Sequence, residues 1–279
     1  MGVLRVQVLS YRFSVGWDWE EAGAYVRFSM ARFLIGSSGL DDARLELPRY
    51  SFVSRAGSYR LDLDGDLIAE SRDQRDVLNH FSWHVNSTAM QVATDRLVIH
   101  SGVVVSPSGD GILLPGPSGS GKTSLVAELV RTGFGYLSDE AAGIDAESLK
   151  VLPYPKALSI KQGMFERFSR FADHSRAWPM SGRMWLIDPD TLREGSVAAP
   201  CSTAFVIFPT HRPGAVTAVT PLRTADILIA LNENVANRSI FGSRTLPILG
   251  EIAKGVSAYH LETGDPDEAV RAVRELTVP

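Results

Sequence analysis

Cysteine is almost absent from this chain: Cys201 is the only one in 279 residues. A single thiol excludes a disulfide framework and a cysteine metal cluster. Its setting, Ala-Pro-Cys-Ser-Thr-Ala-Phe-Val, suits a small buried residue at a strand start rather than a nucleophile. No apolar run approaches the roughly 18 residues that a membrane span needs. The opening Met1-Gly2-Val3-Leu4-Arg5-Val6 lacks a signal-peptide profile, and position 6 is not the Ser or Thr of a myristoylation pattern. The expectation is a soluble cytoplasmic protein with no membrane partner. A basic surplus is missing too: the net charge is −4 and the pI about 5.9, which argues against nucleic acid as a partner. Lysine is scarce, at positions 122, 150, 156, 161 and 254 alone.

What is present is a chain long enough, at 44% hydrophobic residues, for one large α/β domain with an added layer or for two domains. Residues 3–15 alternate as a strand, and 22–34 fit a short helix. Further β segments are expected at 43–53 and 59–71, the latter folded at Asp64-Gly65. Residues 73–93 carry an apolar helical stripe through Val77, Leu78, Phe81 and Val85. His80 and His84 have metal-ligand spacing there, but no third ligand is near in sequence, so both read as solvated or core-edge histidines. Strands follow at 96–105, 111–114, 136–138, 143–145, 150–152, 157–161, 184–187 and 204–208. Helices are expected at 224–238 and 267–276, and 167–183 is charged and expected to be mobile.

The most specific feature is Gly116-Pro117-Ser118-Gly119-Ser120-Gly121-Lys122-Thr123, which fits G-x-x-x-x-G-K-[ST] at every fixed position. It lies between the strand-like Gly111-Ile112-Leu113-Leu114 and a helical pattern that begins with Ser124-Leu125-Val126, as a phosphate-binding loop requires. Glycines let consecutive N–H groups point inward, and the following helix adds its positive end. Lys122 is then the residue to reach the β- and γ-phosphates, and the Thr123 hydroxyl a ligand for Mg2+. The implied cofactors are ATP and Mg2+; no base-reading motif separates ATP from GTP.

Asp139-Glu140 follows the next strand. A helix from 122 to 132 carries the chain away by about 16 Å, and five extended residues return it by about 16 Å. If that strand lies beside the one feeding the loop, the two acids finish level with the phosphates. One carboxylate can then hold Mg2+ and one can accept a proton from an attacking hydroxyl; the residues leave open which does which. His100 ends a strand upstream, in Leu97-Val98-Ile99-His100-Ser101-Gly102. Among apolar residues it is either structural or part of the site.

Taken in order, His100-Ser101-Gly102-Val103-Val104-Val105, the Ser-Gly-Asp-Gly turn, Gly111–Gly116, the loop and Gly135-Tyr136-Leu137-Ser138-Asp139-Glu140 resemble HPr kinase/phosphorylase. They are similar, more closely, to the looser group of HPr-kinase-related kinases. The likeness runs from about 96 to 161 and includes Pro153-Tyr154-Pro155-Lys156 and Leu158-Ser159-Ile160-Lys161. It implies an α/β, P-loop kinase core of the HPr kinase and phosphoenolpyruvate carboxykinase type over 96–279, with a mixed, strongly twisted sheet. Residues 1–95 would form an added α+β region, a candidate for substrate recognition. It also implies that Lys122 and Thr123 serve phosphate and metal, that Asp139 and Glu140 supply metal ligand and base, and that His100 stands near the γ-phosphate.

Weaker candidates for contact with phosphate or acceptor are Lys156, Lys161, Arg212 and Arg238. The expected activity is transfer of the γ-phosphoryl group from ATP to a hydroxyl, on a peptide, a protein serine or a small alcohol. The rival readings are a nucleotide-hydrolysing switch and a non-catalytic ATP-binding module. A homo-oligomer is left open.

Overall fold

The computed structural model describes residues 2–36, 46–171, 177–180 and 184–277. Its first layer is a five-stranded sheet in the order β1-β2-β3-β4-β5. β1 (Gly2–Val8) and β2 (Tyr11–Trp17) form an antiparallel hairpin where the sequence pattern suggested one strand. The turn escapes a sequence reading because it contains no Gly, Asn or Pro; Leu9 itself takes the left-handed conformation, with φ 53°. The helix expected at 22–34 is α1 (Glu20–Ser29), followed by a short 3-10 turn at Ala31–Phe33.

β3 (Arg49–Arg55) pairs parallel with β2, and β4 (Ser58–Leu63) and β5 (Asp66–Ser71) complete the sheet. The first part of the 43–53 segment lies outside the described residues. Asp64 and Gly65 make the β4–β5 turn, with φ 54° and 93°, the geometry that Asp-Gly favours. α2 (Gln74–Val92) starts at Asp73, whose carboxylate caps the Arg75 N–H at 2.9 Å. α2 buries Phe81 against Phe13, Tyr50 and Phe52 of the sheet. On the same helix the Nδ1 of His84 lies 2.8 Å from the Tyr50 hydroxyl, at the core edge.

The second layer begins with β6 (Leu97–Val105), β7 (Gly111–Pro115), α3 (Lys122–Arg131), β8 (Gly135–Ser138), β9 (Ala141–Ile144), β10 (Lys150–Leu152) and β11 (Leu158–Lys161). It continues with α4 (Phe165–Phe168), β12 (Ala177–Met180), β13 (Met184–Ile187), α5 (Pro189–Leu192) and β14 (Cys201–His211). β15 (Ala218–Pro221), α6 (Thr224–Glu233), α7 (Arg238–Phe241), α8 (Thr245–Gly255), β16 (Ser257–Thr263) and α9 (Pro266–Thr277) end it. The main sheet runs β10-β9-β6-β7-β14-β16-β15, with β8 also on β6 and β10 also on β14. β7, β14 and β16 are mutually parallel, and the remaining pairings are antiparallel. β11, β13 and β12 form a separate three-stranded sheet. The protein is thus mixed α/β, with several sheets.

Helices cover both faces of the main sheet, so its central strands read as unbroken apolar runs. Side chains alternate between the two faces. Val104, Ile112, Leu114 and Tyr136 pack on α3 and α9, while Leu97, Ile99, Val103 and Leu113 pack on α6 and α8. Each such fully buried side chain contributes about 1.5–3 kcal/mol of burial free energy. α3 lies hard on β6: a Cβ added at Gly102 would stand 2.7 Å from a Val126 methyl carbon.

The pattern at 224–238 suggested one helix, but α6 ends at Glu233 because Asn237 is drawn into the fold. Its buried amide joins Val98 N (2.9 Å), Ala93 O (2.8 Å) and Arg96 O (2.9 Å). α8 and β16 were not legible, since Pro247 and Gly250 interrupt the first and Tyr-His-Leu-Glu-Thr dilutes the second. Within 167–183, α4 is ordered into the core through Phe168; 172–176 and 181–183 lie outside the described residues. No helix among the described residues is long and apolar enough to cross a membrane.

Candidate functional site

β6 is the ruler of the site. Ser101 is opposite Pro115 on one edge, so the loop that starts at Gly116 leaves level with it. On the other edge His100 is opposite Ala141 and Val103 opposite Ser138. Asp139 and Glu140 therefore bulge from the ladder between β8 and β9, facing His100–Gly102. The returning strand does not lie beside β7, as the distance argument supposed; β6 stands between them, antiparallel to both. The acids still reach the level of the loop, at two strand spacings of about 4.8 Å each. Ser138 makes the bulge, its buried hydroxyl accepting the N–H groups of Glu140 and Ala141, both at 3.0 Å.

The loop is curled by glycine. Gly119 and Gly121 have φ of 90° and 97°, a conformation that costs side-chain-bearing residues dearly. A Cβ at Gly121 would also stand 3.2 Å from the Cβ of His211, whose N–H holds the Ser120 carbonyl at 3.1 Å. α3 then begins at Lys122, and the first N–H groups of any helix lack intrahelical partners. The Ser120 hydroxyl is buried and has no hydrogen-bond partner among the described residues. A curled backbone, free helix-start donors and an orphaned hydroxyl fit an oxygen-rich anion such as a polyphosphate. Lys122 is buried, its ammonium donating to the carbonyls of Gly116 (2.5 Å) and Pro117 (2.8 Å). Burial pulls its pKa down, while Glu140 and Asp139 oppose that fall.

Asp139 is the more engaged of the two acids. Its carboxylate pairs with Lys156 at 2.8 Å, both side chains being buried, and accepts the Tyr136 hydroxyl at 3.2 Å and the Ser159 N–H at 3.4 Å. Glu140 is freer, with its side chain 28% exposed; Lys156 lies 3.8 Å from one oxygen and the His100 Nδ1 3.5 Å from the other. His100 Nδ1 is 3.0 Å from the Glu140 carbonyl, which can only accept, so that nitrogen carries the proton and Nε2 keeps its lone pair. Burial first, and then the Lys122 charge, lower the His100 pKa against the pull of Glu140, so the ring is neutral at pH 7.

These groups share one pocket of about 350 Å³. Ser118–Leu125, His100, Asp139, Glu140, Ser159 and Lys161 line it together with Gly163, Met164, Pro209, His211, Thr263, Pro266 and Ala269. Thr123 is thus in the pocket with both acids. Hydroxyl and carboxylate oxygens are the donors that Mg2+ takes, usually one or two from protein with the rest from phosphate and water. No cluster of three or more His, Cys, Asp or Glu among the described residues is placed to hold a metal.

No protein-family model matches the chain, and no curated protein matches it. Among solved structures it is similar to the Hpr(Ser) kinase/phosphatase from Coxiella burnetii. That match has 13% identity and a TM-score of 0.34, over 64% of this chain and 89% of the other. At that distance, function is argued from the site's own residues.

The weaker candidates separate. Lys161 lines the pocket. Lys156 lies behind it, turned to the acid pair. Arg212 is exposed and paired with Glu262 at 3.2 Å, outside the pocket lining. Arg238 is also outside, donating to the Asn232 carbonyl. Sequence reasoning passed over His211 in favour of its neighbour Arg212. It also missed the wall residues Gly163, Met164, Pro266 and Ala269, which carry no motif.

Proposed function

We propose that this protein is an ATP- and Mg2+-dependent kinase that transfers the γ-phosphoryl group to a hydroxyl. The observation that carries the reading is the convergence of the glycine-rich loop, Lys122, Asp139, Glu140 and His100 on one pocket. The backbone N–H groups of the Gly116–Ser124 loop, Pro117 excepted, and the Lys122 ammonium bind the triphosphate. Thr123 and Asp139 would hold Mg2+, which would supply charge neutralisation to the transferring phosphate. Lys156, paired with Asp139 at 2.8 Å, holds that carboxylate in place at the edge of the pocket.

Glu140, the freer acid, is the base. As the acceptor oxygen bonds to the γ-phosphorus and the bond to the β-phosphate oxygen breaks, the hydroxyl proton passes to Glu140. His100 presents Nε2 while its Nδ1 is held by the Glu140 carbonyl, so ring and carboxylate keep a fixed relation. Most of the rate then comes from placement and charge. The acceptor is a peptide, a protein serine or a small alcohol, met from the Glu140 side.

The test is incubation of γ-labelled ATP and Mg2+ with the purified protein and an extract that supplies acceptors. Label on an acceptor is expected; release of free phosphate alone would instead point to a hydrolase. Lys122→Ala should lower turnover at least about 100-fold with the fold intact. Normal turnover in that variant overturns the site.

A further inference from the structure

The pocket lining holds two sets of residues. His100, Lys122, Lys161, Asp139 and Glu140 feel one another's charge, while Leu125 and Ala269 belong to one apolar cluster on which Met164 packs, and Pro266 adjoins them. α3 fixes the direction from the first set to the second, because Thr123, Ser124 and Leu125 follow Lys122 along its first turn. A triphosphate on the loop therefore leads its organic part toward the second set.

The second set lines a built slot. One wall, Gly163–Met164, is anchored just beyond by Phe165, which stacks on Trp185 with centroids 4.2 Å apart, and by the buried Phe168. The other wall belongs to α9, which runs parallel to α3: Arg274 near its end reaches the Thr132 carbonyl past the end of α3, at 3.0 Å. Arg167 joins both walls to the floor. Its Nε donates to Glu128 of α3 at 2.8 Å, and its Nη1 to Asp267 of α9 at 3.1 Å. Glu128 is 1% exposed and is held from the other side by Arg131 at 2.6 Å. A carboxylate so buried and doubly paired is a fixed post.

We propose that the slot between Gly163–Met164 and Pro266–Ala269 receives the base and ribose of a nucleoside triphosphate, and that Arg167 is the positioning residue that keeps its walls apart at the right width. The inference rests on the reading of the loop as a polyphosphate site, but not on catalysis. A planar ring loses water-exposed apolar area in such a slot, whereas a bare polyphosphate gains nothing there.

The test is calorimetric titration of the whole protein with ATP and with inorganic tripolyphosphate, each with Mg2+. At Gly163 a new Cβ meets nothing within 4 Å, so Gly163→Trp should fold and obstruct the slot. The expected result is a loss of at least tenfold in ATP affinity with tripolyphosphate affinity kept within twofold. Arg167→Met, checked for an unchanged melting temperature, should weaken ATP severalfold and leave tripolyphosphate alone, and Arg167→Lys should restore part of the loss. Equal weakening of both ligands, or no change for ATP in either variant, overturns the slot while sparing the loop. If the wild-type protein binds neither ligand, the loop reading fails and the slot goes with it.

Discussion

The two main sheets of this molecule are stabilised by different chemistry. The core of β1–β5, α1 and α2 is centred on an aromatic cluster: Phe13, Tyr50, Phe52 and Phe81 meet with ring centroids 5.1–6.3 Å apart. Among the described residues, its one buried polar side chain that is not aromatic is Ser29. The main sheet is packed with aliphatic side chains, yet it buries Lys122, Glu128, Asp139 and Lys156. Burying a charge is costly unless it is paired, and paired charges contribute little net stability. A layer that buries four charges, two of them lining the pocket and one directly behind it, has given up stability for the sake of a site, while the aromatic layer buries none among the described residues.

The largest effect that can break this contrast is at Asp139. Asp139→Ala removes the close counterion of the buried Lys156 and leaves only Glu140, 3.8 Å away, so unfolding by urea should show a loss of about 3 kcal/mol. The double variant Asp139→Ala with Lys156→Met should recover much of that loss. Equal instability in the two proteins would mean that the pair is ordinary packing. Next comes Phe81→Ala, which empties a site at the centre of the aromatic layer and should cost about 3 kcal/mol. Tripolyphosphate affinity of the folded variant should be unchanged; a tenfold drop would tie the aromatic layer to the loop.

The smallest effect is a pH dependence. The folded pKa of His100 lies below its ordinary value, so the unfolded chain takes up the proton first. Its contribution to stability is present above about pH 6.5, the ordinary histidine pKa, and is lost as pH falls through the lower folded value. Relative to His100→Gln, the wild-type melting temperature should therefore fall between pH 8 and pH 5. A difference that stays flat or rises would reverse the assignment of burial as the main cause.

The two layers also differed in how much of them could be read beforehand. Around the loop, spacing alone located β7, the glycines and α3, because each local choice there is dictated by backbone chemistry. The acid pair was found by counting chain lengths, although the count assumed the wrong neighbour for β8. The partners of those acids were invisible: Lys156 is 17 residues beyond Asp139, and only the fold brings their charges to 2.8 Å. Arg167 appeared as one charge in a charged stretch, since its targets Glu128 and Asp267 are 39 and 100 residues away. In the first layer, Asp64-Gly65 announced its turn, whereas Leu9-Ser10 did not, because tertiary pairing overrides the usual turn vocabulary there.

Gly102 shows how thin the margins are. With 2.7 Å between a would-be Cβ and Val126, the helix that carries Lys122 rests directly on the main chain of the strand that carries His100. One methyl group at that point would act as a wedge under the helix, lifting the cation away from the imidazole and the carboxylates without touching any of them. Any larger side chain there must first displace the Val126 methyl, and so a residue with no chemistry of its own helps to set the spacing of those that have it.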